Sequence, residues 1–85
     1  MIVVKFHSYF VDLFDTNIIK IHQKGKSVSH VMKELETEIK NFRKYIDFEN
    51  ISFMIIKDGR TLRIPEDLGL IVMTELIIAP IISGG

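Results

Sequence analysis

Toward its end the chain reads Glu75-Leu76-Ile77-Ile78-Ala79-Pro80-Ile81-Ile82, followed by Ser83-Gly84-Gly85. A run this rich in β-branched and apolar residues predicts a strand over 75–82. Pro80 has no N–H to give to a ladder, so it marks an edge or a strand end. The opening of the chain matches it in character: residues 2–10, Ile2-Val3-Val4-Lys5-Phe6-His7-Ser8-Tyr9-Phe10, also read as a strand. Val4 and Phe6 are expected to point inward, Lys5 and His7 outward. Two strongly apolar strands at either end of a short chain belong side by side at the centre of a sheet. They run parallel when the crossover between them carries a helix.

That helix is visible. Val28, Val31, Met32, Leu35, Ile39 and Phe42 recur at helical spacing and form one apolar stripe, with Lys33, Glu36 and Lys40 on the other side. Ser27 or Ser29 is placed to cap its start, and Glu36 precedes Lys40 in the favourable i,i+4 sense. Between the first strand and the helix, Asp15-Thr16-Asn17 is a turn signal. Residues 18–22 then form a second strand, antiparallel to the first, with Ile19 and Ile21 on one face and Lys20 and His22 on the other. After the helix, Arg43 to Asn50 is a connection and Ile51 to Lys57 a third, nearly continuous apolar strand. Asp58-Gly59 is a hairpin turn, Arg60 to Ile64 a short return strand, and Pro65-Glu66-Asp67 a loop. The order is ββαββ(β). It predicts an α+β, β-grasp (ubiquitin-like) domain over residues 1–82, with a mixed four- to five-stranded sheet and one main helix packed on one face. Ser83-Gly84-Gly85 is expected to be a separate tail, residues 83–85.

Composition bounds the chemistry. The chain has 85 residues, of which 47% are hydrophobic, so one core and one domain are expected. Eleven Lys and Arg balance eleven Asp and Glu, which argues against nucleic acid as the partner. Lys24-Gly25-Lys26 is a polar loop. Without cysteine, a disulfide framework, a thiolate metal site and a cysteine nucleophile are excluded. No secretory signal or membrane span is visible, since Thr74, Glu75 and Pro80 interrupt the apolar run from Leu68 to Ile82. The expectation is a soluble cytoplasmic protein.

No enzyme constellation emerges. His7, His22 and His30 are scattered over two strands and the helix start, without metal-ligand spacing. Ser8, Ser27, Ser29, Ser52 and Ser83 sit in no nucleophile pattern. Glu66 and Asp67 are neighbours in a loop, where nothing supplies the apolar pocket that separates a catalytic pair. No catalytic residue, metal site or bound cofactor is expected. What remains is Gly84-Gly85. Two residues without a Cβ can lie extended in a channel too narrow for any other residue, and they present a carboxylate there. Four residues reach at most about 13–14 Å.

In its whole length and element order the chain resembles the MoaD/ThiS-like sulfur carriers, the family of the molybdopterin synthase small subunit and the thiamine sulfur carrier. The tail Ala79-Pro80-Ile81-Ile82-Ser83-Gly84-Gly85 carries the resemblance most sharply. The helix start Ser27-Val28 and the turn Asp58-Gly59 sit where that family places comparable features. The sequence departs from it at Val72-Met73-Thr74-Glu75-Leu76, where the family has a Gly-Asp-Glu-Val-like turn, and at Ile81 and Ile82. The resemblance implies that a ubiquitin-activating-like adenylating enzyme uses ATP to activate the Gly85 carboxylate. A sulfur donor then makes it a thiocarboxylate, spent by a synthase large subunit or other sulfur acceptor. It implies a docking surface on the outer sheet face, with Ile77, Ala79, Ile81 and Ser83 as candidate contacts. Two other readings stand beside it: a modifier joined to lysines through Gly85, and a plain β-grasp interaction module.

Overall fold

A computed structural model describes residues 1–81. A five-stranded mixed sheet carries helices on one face. β1 (Ile2–Phe6) is followed by a short helix α1 (Phe10–Phe14) and then β2 (Ile18–Ile21). The two-residue β3 (Lys26–Ser27) leads into the main helix α2 (Val28–Glu38), and α3 (Phe42–Tyr45) follows it. β4 (Phe53–Lys57) and β5 (Arg60–Thr61) form a hairpin. β6 (Ile71–Val72) and β7 (Glu75–Pro80) end the described chain. The sheet order is β2-β1-β7-β4-β5, and β3 pairs with β6 in a separate small ribbon. β1 and β7 are parallel at the centre, with Val4 opposite Leu76 and Phe6 opposite Ile78. β2 and β4 run antiparallel to them on either side. This is the β-grasp arrangement expected from the two apolar end strands.

The core lies between the sheet and α2. Val4 and Phe6 of β1, Phe53 and Ile55 of β4, and Leu76 and Ile78 of β7 point into it. They meet Val28, Val31, Met32 and Leu35 of α2. The stripe read along the helix is the buried face. Ile39 and Phe42 are also buried, but not on one continuous helix: α2 stops at Glu38, Ile39 is extended, and Asn41 adopts φ 63° before α3 begins. The expected Glu36–Lys40 pair therefore does not form. Glu36 instead pairs with Arg43 of α3, Nε to Oε2 3.5 Å. Ser27 is the cap, accepting from His30 N–H at 3.1 Å.

The predicted strand over 2–10 ends early. Ser8 takes φ 59°, a left-handed conformation that breaks the extended chain, and Phe10–Phe14 coil into α1. Phe10 and Phe14, four apart, share one helix face. Phe14 packs edge-on to Phe6 at 5.1 Å between ring centroids and lies 5.5 Å from Phe42. The aromatic residues that suggested a strand are thus a helical plug for one end of the core. Asp15 caps that helix at φ 54°, as the turn signal required. The Asp58-Gly59 hairpin has φ 53° and 75° at its two central residues, the signs of a type I′ turn. The return strand is two residues, not five.

Candidate functional site: the outer sheet face and the end of β7

Because successive side chains alternate across a sheet, the face turned away from α2 is set by the residues between the core positions. The strand registers line up Ile18, Lys5, Ile77, Ile56 and Thr61 in one row across all five strands. A second row joins Lys20, Val3 and Glu75, and Met54 lies opposite Ala79. The middle of the face is therefore apolar: Val3, Met54, Ile56 and Ile77 are half-buried and Ile18 is 41% exposed. Polar groups surround it. Lys5 and Glu75 form an ion pair across the two central strands, Nζ to Oε1 3.4 Å. Lys20 and His7 stand exposed at its margins.

The three described residues expected to dock a partner are distributed unevenly. Ile77 lies at the centre of the apolar row. Ala79 points to the same face but is buried, only 7% exposed. Ile81 is exposed beyond the strand end, and its N–H donates to Ser52 O at 3.0 Å. This bond ties Ile81 to the residue before β4. Ser83, Gly84 and Gly85, and the expected boundary between domain and tail, lie outside the described residues. Ile18, Met54 and Ile56 were not among the expected contacts, yet they complete the patch. Alternation along β4 is the signal that finds Met54 and Ile56, but in a run with four apolar residues in five it does not say which of them face outward.

The described titratable side chains are spread over the surface. His7 and His22 are exposed, and His30 lies 3.2 Å from Gln23 Oε1 and 3.5 Å from Glu34 Oε1. Asp67 accepts Arg63 N–H at 2.8 Å, a loop-closing bond. Among the described residues no group of three His, Asp or Glu side chains could hold a metal ion. No described helix is long and apolar enough to cross a membrane. Asp47 is a carboxyl with a perturbed proton affinity. It is held below the usual aspartate range, first by the Glu49 N–H bonded to it and then by the Asn50 amide. The outer face is thus a half-apolar plate with a charged margin, next to Ile81, the last described residue. Compared with known proteins, the chain matches no family model and no curated protein.

Proposed function

We propose that the chain is a small sulfur carrier of the cytoplasm, itself without catalytic activity, whose working group is the Gly85 carboxylate. The observation that supports this reading is the sequence Ser83-Gly84-Gly85, which follows closely on the central strand of a β-grasp domain. Ile82 to Gly85 span at most about 13–14 Å beyond Ile81. That is long enough to enter a partner's active site while the outer face rests on the partner's surface.

The chemistry needs a partner, because a carboxylate is a poor electrophile. A Gly85 oxygen attacks the α-phosphorus of ATP held by a ubiquitin-activating-like adenylating enzyme. Pyrophosphate leaves and an acyl-adenylate forms. A sulfur nucleophile from the donor adds to the acyl carbon and AMP departs, leaving a thiocarboxylate. A synthase large subunit or another acceptor then takes the sulfur, in molybdopterin, tungstopterin or thiamine synthesis or in tRNA thiolation. ATP belongs to the partner throughout. The diglycine equally suits a modifier joined to lysines through Gly85, which shares the adenylation step.

Intact mass decides. The full chain and a Gly85 deletion are incubated with ATP, an adenylating enzyme from the same organism and sulfide. The expected outcome is a gain equal to replacement of one oxygen by sulfur, in the full chain alone. No adduct with any adenylating enzyme of the organism would reduce the protein to an interaction module. Lysine-linked Gly-Gly remnants on other cellular proteins would establish the modifier reading.

A further inference from the structure

Arg60, Thr61, Arg63 and Asp67 line an open cleft of about 490 Å³ beside β5. Neither guanidinium has an ion-pair partner among the described residues, whereas Lys5, Arg43 and Lys57 each have one. Asp67, the one acid in the lining, is occupied with the backbone: its Oδ2 accepts Arg63 N–H and its own N–H donates to Arg63 O, both at 2.8 Å. A chain of zero formal net charge thus gathers two free cationic forks and a hydroxyl in one place. The planar fork of Arg matches a carboxylate with two parallel hydrogen bonds, and such charge-assisted bonds are stronger than neutral ones.

The cleft also follows a sheet edge. β5 pairs with β4 on one side and with no strand among the described residues on the other. An edge strand presents backbone groups that an extended segment can use. Two residues of edge are too few to hold a strand unaided, so the arginines must supply the selectivity. We infer that the Arg60–Arg63 cleft binds an extended acidic peptide segment of a partner protein, its carboxylates on the two guanidiniums and its backbone along β5.

The position favours a partner that already rests on the outer face. Leu62 N–H donates to Ile55 O at 2.8 Å, and Ile55 lies opposite Ile78. The cleft is therefore level with the second half of β7, two strand spacings away, or about 10 Å. Neither Gly85 nor adenylation is required, so the inference stands or falls apart from the carrier chemistry.

Amide NMR of the isotope-labelled full chain tests it. The probes are a capped Glu-Val-Glu-Val-Glu-Val peptide, the same peptide with Gln for Glu, and inorganic phosphate. The Glu peptide should shift the amides of Arg60, Thr61, Arg63 and Asp67 saturably and more weakly as salt rises. The Gln peptide should bind at least about tenfold more weakly, the loss expected when a charge-assisted pair is removed. Arg60→Gln with Arg63→Gln should cost a similar factor while other amides keep their positions, both side chains being exposed. Arg60→Lys with Arg63→Lys should fall between, keeping charge without the fork. Equal binding of the two peptides, or no shift at the cleft at millimolar Glu peptide, overturns the inference. Phosphate shifting these amides while the peptide does not would make the ligand a small oxyanion, and also overturns it.

Discussion

At the scale of single residues, the backbone is most particular where φ turns positive. Gly59 sits at φ 75° with open space where a Cβ would go, so a side chain there meets only the left-handed backbone penalty. Gly59→Ala should therefore cost about 1–2 kcal/mol in urea denaturation, with Gly59→Asn costing less. Ser8 and Asn41 also have positive φ: Ser8 lies between β1 and α1, and Asn41 directly precedes α3. Neither was legible as a break, because the apolar periodicity runs across both: Tyr9 and Phe10 continue a strand-like pattern, and Phe42 a helical one. Asp58-Gly59 was legible because both residue types tolerate that conformation in adjacent positions. Asp47 allows a test with a definite sign. Its folded pKa is depressed, so its contribution is present above the unfolded value and is lost as pH falls through the folded one. Asp47→Asn should remove that acid dependence, visible as a flatter acid limb in stability measured against pH.

At the scale of elements, α2 shows how local chemistry and burial agree. Ser27 is extended at ψ 154° and its hydroxyl accepts the otherwise orphaned His30 N–H. Ser27→Ala should lower stability by about 1 kcal/mol, read from the thermal midpoint, with the helix otherwise retained by its buried stripe. Ser27 and Ser29 were both candidates from sequence, and only geometry separates them. The break between α2 and α3 brings Arg43 to Glu36 and over the Phe48 ring at 4.9 Å, contacts that a single straight helix does not make. β3 and β6 were invisible in the sequence for a different reason: two-residue strands have no period. Their pairing, Lys26 to Val72 and Ser27 to Ile71, forms only because the segment leading to β7 crosses the helix start. There Leu70 O and Leu68 O accept Val28 N–H and Ser29 N–H, both at 2.9 Å.

At the scale of the whole molecule, the central parallel pair was legible because both end strands are strongly apolar. The patch on the outer face was only half legible, since it is assembled from four strands through their registers. Ile77 is its middle, half-buried between Lys5 and Ile56. On the proposed carrier reading, Ile77→Asp should leave the amide spectrum of a folded domain and reduce activation by an adenylating enzyme at least about tenfold, as loss of an interface anchor does. Normal activation by the folded variant would remove the outer face from the docking surface. The same central pairing reaches back to how the protein is made. On the side away from β2, Val3 is paired with Glu75, far along the sequence. A growing polypeptide therefore has β1, β2 and the helices in hand while the middle of the sheet is still missing. During synthesis the inner edge of β1 and one face of α2 stay uncovered until β7 leaves the ribosome. The central sheet closes only with β7, the last strand among the described residues.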